Sequence, residues 1–422
     1  MSDVGRTIAE KILSEKSGTG ARPGDIVKIE YDVAASHDLS TPQGVKRLDA
    51  WGASVKDPDR LAVVPDHMIP SHNERAQQNY TTCVEFAERE GIEHFYRQNE
   101  TGLMHAVLPE DGIVKPGDVV IGSDSHTVTY GALGAFATGI SYTDLAFAWA
   151  EGWTWLRVPE TVRIDYVGKP DDWVRGKDLI LHTLGQLGVD GAVYQALEFG
   201  GPLLEKLPMD DRFSMSHMAI EAGAMVGIFE ADDTMREYAK GRVDGTFTCY
   251  ESDDDAEYDQ TLTVDCNGLE PEVAVRSLPA NAKPIREVAG VEIDQAVVGS
   301  CTNCREEDLQ VAAEILDGRT IAEDVRMIVT PGTRKIQQTA LEEGWMEIFN
   351  EAGATFGSPG CGACFGEHIG VLDEDEVAVS TTNRNFIGRM GANSSEAYLA
   401  NPASAAAPAL AGELVNLERG VV

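Results

Sequence analysis

Short apolar, β-branched runs recur along this chain: "RLAVVP", "DVVIGS", "TVRIDYV", "TLTVDC", "AVVGS", "VRMIVTP" and "EVAVST". Each has the length and the Val/Ile content of a strand. Between them lie stretches with helical spacing at 73–91, 176–188, 305–318 and 333–353, several closed by glycine. Strand and helix patterns that alternate in this way confine the chain to α/β domains. At 422 residues it is too long for one ordinary core. A new unit begins near 160, at "VPETVRIDYVGKPDDW", and "LPANAKP" near 280 reads as a linker. The expected division is therefore 1–160, 161–280 and 281–422.

The opening "MSDVGRTIAEKILSEKSG" reads as an amphipathic helix on Ile8, Ile12 and Leu13, without the apolar core of a signal peptide. No apolar run reaches the length of a membrane span. A cytoplasmic protein with no membrane partner is expected. Acidic residues number 70 against 34 basic ones, a net charge of −36. Such a surface repels nucleic acid and anionic membranes. The excess is spread along the chain, with runs at "ESDDDAEYD" (251–259) and "LDEDE" (372–376). It repels itself at low salt and is screened at high salt, which points to a salt-rich host. An ordinary acidic protein is the alternative.

Seven cysteines are too few for a disulfide scaffold in a chain of this length, which leaves metal or catalytic roles. Cys301-x-x-Cys304 lies in "VVGSCTNCREEDL" and Cys361-x-x-Cys364 in "GSPGCGACFGEH". Four thiolates on zinc would make a closed structural site. Three thiolates on a [4Fe–4S] cube would leave one iron open as a Lewis acid. The glycine-rich "SPGCGAC" lets the backbone wrap a bulky cluster. Ordinary buried thiols are the third possibility. Cys83, Cys249 and Cys266 fall within helical or strand patterns and read as packing residues.

Histidines gather in polar turns of the first segment. "VVPDHMIPSH" sets Asp66 beside His67, "VVIGSDSHTVT" sets Asp124 and Ser125 beside His126, and "GLMHAVLPEDG" adds His105. A carboxylate can orient an imidazole and raise its pKa, making it a proton donor near neutral pH. "STTNRNFIGRMG" carries Arg384 and Arg389 just after an apolar strand, suited to clamp a carboxylate or to form salt bridges. "DVVIGSDSHTVTYGALG" and "QAVVGSCTNCREEDLQV" echo one another. Each runs from a strand through Gly-Ser into a polar turn, which aims both turns at one cleft.

"GSCTN", "GCGAC", "NRNFIGR", "GSDSHT" and "PDHMIP" resemble the aconitase family through nearly the whole chain. Within it the likeness is to the two-subunit enzymes that act on isopropylmalate in leucine biosynthesis, with the homoaconitase kind beside them. The resemblance implies three α/β/α domains around a [4Fe–4S] cluster, one per subunit, without the swivelling fourth domain. A separate small subunit would supply that domain. Cys301, Cys361 and Cys364 would bind the cluster. The substrate would be a small 2-hydroxy acid that loses water and regains it at the neighbouring carbon. His67, paired with Asp66, would protonate the departing hydroxyl. His105, Asp124, Ser125, His126 and Glu221 would support the cluster and substrate, and Asn383, Arg384 and Arg389 would bind the substrate. The family's catalytic-base serine and a further arginine lie on the swivelling domain, so this chain alone should be inactive. Competing classes are a regulatory RNA-binding relative, which the charge opposes, and a purely structural or electron-transfer metal site.

Three positions depart from the family's pattern. Cys304 replaces a small residue, His217 replaces an asparagine four residues before Glu221, and His37 replaces an amide. On a helix His217 and Glu221 share a face, which would point both toward the cluster. Cys304 is expected near the cluster without binding it.

Overall fold

The structure, a computed structural model, describes residues 5–100 and 102–417. Every strand run named above forms: Leu61–Val63, Val119–Gly122, Thr161–Val167, Gln260–Asp265, Gln295–Val298, Arg326–Val329 and Val377–Ser380. Several of these are apolar on both faces, as parallel strands covered by helices require.

The strands form three main sheets. The first, all parallel, runs His94–Phe95, Leu61–Val63, Val33–Ser36, Val119–Gly122, Phe136–Gly139. The second, also parallel, runs Val226–Phe229, Ala196–Gly200, Thr161–Val167, Gln260–Asp265. In the third, Gln295–Val298 lies between Val377–Ser380 and Arg326–Val329, parallel to both. Glu396–Leu399 extends it in parallel, and Glu272–Ala274 and Ala282–Pro284 add antiparallel edges. A separate ribbon pairs Ile26–Ile29 with Thr154–Arg157. The chain is α/β throughout. Among the described residues no helix is long and apolar enough to cross a membrane.

The strand period distributes the core. Val33 and Ala35 face a cluster shared with Val162, Ile164 and Phe199 of the second sheet. Ala34, on the opposite face, joins the cluster built on the first helix. That helix, Ile8–Ser17, buries Ile8, Ile12 and Leu13 completely. Each such side chain stabilises the fold by about 1.5–3 kcal/mol. The first four residues of the opening run and residues 418–422 lie outside the described residues.

Helix starts follow side-chain caps. Asn73 caps Glu74–Glu90 by accepting from the Ala76 N–H, and Thr333 does the same for Ile336. One expected helix proves to be two. The 333–353 stretch divides into Arg334–Glu342 and Trp345–Ala352, because Gly344 between them takes φ 79°, a left-handed turn that ends the first. Cys83 and Cys266 are buried, as expected of packing residues. Cys249 is only half-buried and lies in an irregular segment, not in a regular element.

Functional loops leave the carboxyl ends of these strands, where open α/β sheets gather ligands. Leu61–Val63 leads to Asp66 and His67, and Val119–Gly122 to Asp124–His126. Gln295–Val298 leads to Cys301, and Val377–Ser380 to Asn383 and Arg384. The two turns that echo each other in sequence thus arise from interior strands of two different sheets.

Candidate active site

These loops enclose a cavity of about 190 Å³. It is lined by Asp66, His67, His105, Asp124, Ser125, His126, Cys301, Cys361, Cys364, Asn383, Arg384 and Arg389, with Leu39 and Phe365 as its apolar walls. Of the site residues named from sequence, only Glu221 stands behind the wall, bonded to two that form it. A larger groove of about 590 Å³ shares Ser125 with this cavity, but its lining is mostly apolar and holds Asp144 as its single carboxylate. The smaller cavity carries the chemistry.

The proton-donor pair is tightly built. His67 Nδ1 lies 2.6 Å from Asp66 Oδ1. The other oxygen of Asp66 accepts the Met104 N–H at 2.8 Å. Burial alone would depress the His67 imidazolium, but the Asp66 carboxylate, with Asp124 behind it, outweighs burial and pushes its pKa up to about 10. Burial would likewise raise Asp66, and the charge of His67 pulls it below the ordinary carboxylate value instead. The loop itself hangs on Asp38, whose carboxylate accepts the N–H groups of Asp66, His67 and Met68 at 3.0, 2.9 and 2.9 Å. His37, Asp38, Asp66 and His67 lie close enough together to suggest a cation site. The carboxylate oxygens there are already engaged by these bonds, so the quartet serves the loop.

Asp124 is the hub of the histidines. Its oxygens lie 3.2 Å from His126 Nδ1, 3.3 Å from His105 Nε2, 3.6 Å from His67 Nε2 and 3.9 Å from His37 Nε2. Burial would raise its pKa, but hydrogen bonds from His105 and His126 hold it well below the usual carboxylate range. His126 Nε2 continues to Glu221 Oε1 at 3.1 Å, and Glu221 meets Arg384 Nε at 2.9 Å. Burial disfavours the Glu221 charge, yet His126 and Arg384 keep its pKa lowered. A chain of hydrogen-bonded polar side chains thus crosses from the first sheet through the second to the third.

The two arginines differ. Arg384 is held by Glu221 and also reaches Ser125 Oγ at 3.3 Å. Arg389 has no carboxylate partner among the described residues, and its Nε is buried without a hydrogen bond. That leaves a guanidinium edge free to receive a substrate carboxylate.

Cys301, Cys361 and Cys364 line the cavity and Cys304 does not. Burial, reinforced by neighbouring thiols and carboxylates, pushes the Cys301 and Cys361 thiols well above their ordinary range. Cys364 Sγ bonds Asn383 Oδ1 at 3.1 Å and receives Arg389 Nη2 at 3.6 Å. Three converging sulfurs can ionise together only beside a strongly cationic group, and soft thiolates suit an iron–sulfur cluster. Backbone geometry fits that reading. Ser300, just before Cys301, adopts φ 70°, a strained state typical of functional sites. Gly362, between Cys361 and Cys364, takes φ 57°, where a Cβ would also lie 2.8 Å from Thr330 Oγ1. Cys304 is fully buried with Leu103 and Ala106, and burial, opposed by Arg305, pushes its thiol up to about 12. Its sulfur does not reach the cavity that the other three line, which suits packing behind the cluster site and not ligation.

Both histidines that depart from the family's pattern lie in this site. His37 stacks on His67 with centroids 4.1 Å apart, and His217 stacks on His126 at 4.2 Å. His217 and Glu221 do share a face, but the side chain they meet is His126. Three supporting residues escaped the sequence reading. Asp38 is one. Lys177, fully buried, donates to the Thr381 and Thr382 carbonyls at 2.9 and 2.6 Å, just before Asn383. Arg305 donates to the His105 carbonyl at 3.1 Å and to those of Cys301 and Thr302 at 3.4 Å.

The model of the aconitase family (aconitate hydratase) matches residues 10–412. The chain is 47% identical over 420 residues to the 3-isopropylmalate dehydratase large subunit of Moorella thermoacetica, covering 99% of this chain and 100% of that protein. The large subunit from Halothermothrix orenii is 48% identical, with 98% and 99% covered, and large subunit 1 from Pyrococcus furiosus is 48% identical, with 99% of each covered. Among solved structures, the holo-form of Thermococcus kodakaraensis aconitase X superposes with a TM-score of 0.51 at 16% identity, over 89% of this chain and 88% of that one, which bears on fold alone.

Proposed function

The chain belongs to the aconitase family, and from that membership we propose that it is the large subunit of a hydro-lyase interconverting 2-isopropylmalate and 3-isopropylmalate in leucine biosynthesis. One observation carries the reading: three cavity thiols face an Asp66-bound His67 and two arginines in a single enclosure. Cys301, Cys361 and Cys364 would hold a [4Fe–4S] cluster. When bound, that cluster supplies a Lewis acid beside the leaving hydroxyl.

The remaining work falls to the chain's own side chains. Arg389, with its unpaired Nε, and Arg384 receive the substrate carboxylates and stabilise the charge that builds there as the neighbouring C–H proton leaves. His67, kept charged by Asp66, gives its proton to the departing hydroxyl and recovers it on rehydration. The base is proposed to come from the small subunit. Both carboxylates in the wall, Asp66 and Asp124, have lowered pKa values and are poor proton acceptors. Leu39 and Phe365, the apolar walls, suit a branched alkyl group better than the third carboxylate of a homocitrate-type acid.

The test is co-expression with the partner small subunit, anaerobic purification, and assay of isopropylmalate, citrate and homocitrate. Turnover should favour isopropylmalate and require both subunits. An iron-loaded complex that dehydrates none of these acids would sink the reading.

A further inference from the structure

We propose that His217 is a positioning residue for His126, fixing the plane of the catalytic-site imidazole from its open face. It rests on the reading above of this cavity, which His126 lines, as the active site, and on the following geometry. His126 is held in its own plane, with Nδ1 3.2 Å from Asp124 and Nε2 3.1 Å from Glu221. Contacts at two ring nitrogens leave one soft motion, rocking about the line that joins them. His217 blocks it. The two rings are stacked, 4.2 Å apart and 11° from parallel.

A second contact ties the same residue from behind. Thr129 Oγ1 lies 2.6 Å from the His126 carbonyl oxygen, and two oxygens that close need a hydrogen between them, so the Thr129 hydroxyl donates there. Its other contact is His217 Nδ1 at 2.7 Å, so Nδ1 must carry the proton and donate to Thr129. The tautomer of His217 is thereby fixed, and Nε2 is a bare acceptor, buried without a partner. One side chain thus braces both the ring and the backbone of His126. His105 also meets His217 edge-on, with centroids 5.9 Å apart and the rings at 69°. An asparagine here could keep the bond to Thr129 but has no ring to stack. A phenylalanine could stack but not donate.

The experiment compares His217→Asn, His217→Phe and His217→Ala in the two-subunit, iron-loaded enzyme. With iron per protomer unchanged, kcat should fall on the order of ten- to a hundredfold in H217N and H217A, with a smaller change in KM, and recover substantially in H217F. Crystal structures of the variants give a readout independent of the substrate: the His126 ring should leave its wild-type plane in H217N and H217A and keep it in H217F. Should H217F fail to fold, H217N and H217A still decide the matter by ring orientation. Wild-type kcat per iron centre in H217N, or an undisplaced His126 ring there, overturns the inference. So does a folded H217F as slow as H217A. A wild-type complex without turnover counts against the isopropylmalate reading alone, since the ring orientations would still stand.

Discussion

Replacing Cys304 with alanine separates an open metal centre from a closed one. Cys304 is fully buried, and its Sγ presses on Gly332, whose N–H bonds the Cys304 carbonyl at 2.9 Å. A sulfur is about the size of a methylene, so losing its burial costs ~0.8 kcal/mol. The hydrogen-bonded backbone on either side resists collapse, and the residual void adds a comparable amount. The sum is about 1–2 kcal/mol, a fall in melting temperature of about one to two degrees in a chain of 422 residues. Iron content and turnover should be unchanged, because Cys304 does not line the cavity. Cys361→Ala should instead lose the iron and all activity. Iron and sulfide analysis of anaerobically purified protein, together with thermal melts, reads both. Loss of iron in C304A as complete as in C361A would make Cys304 a fourth ligand and refute the open-centre argument.

Three further outcomes are expected. With a net charge of −36, the melting temperature should rise steadily with potassium chloride into the molar range, and a fold indifferent to salt would remove the case for a salt-rich host. Burial, helped by the charge of Asp32, pushes the Asp118 carboxyl up to about 7, so its contribution is intact below pH 4 and lost as pH rises through 7. Asp118→Asn should therefore be more stable than wild type at pH 8 by about 1–2 kcal/mol after solvent screening, with that gain shrinking through pH 5 and all but gone at pH 4. Lys177→Met strands two buried carbonyls and should cost ~2–5 kcal/mol in denaturant unfolding, with KM raised through the Asn383–Arg384 turn; an unaltered midpoint would show that the ammonium is dispensable.

What was legible in the sequence follows physical lines. Val- and Ile-rich strands announced themselves because β-branched side chains suit a covered sheet. "VAAS" (33–36) and "ALEFG" (196–200) did not, being short and without periodicity, though they lie inside their sheets. The helix break at Gly344 does not show in the sequence pattern, because the apolar spacing continues across it. Asp66, His67, Asp124 and His126 could be found locally, since each follows a strand end in a polar turn. Glu221 came only through the family resemblance. Asp38 and Lys177 look like ordinary charged residues in sequence. Their partners lie 28–30 and 204–205 positions away, and only packing reveals them. His37 and His217 stood out as substitutions, but stacking is a relation between rings that no spacing rule expresses.

The hydrogen-bonded run from Asp124 through His126 and Glu221 to Arg384 has a consequence for how such a protein can change over time. Each member is hydrogen-bonded to the next in a largely buried site, so none can be exchanged without stranding another. The exterior obeys no such rule. Its surplus of acidic groups is spread over the chain, where single replacements cost little. A lineage can therefore retune its surface to the salinity of its surroundings, residue by residue, while the apparatus within stays fixed.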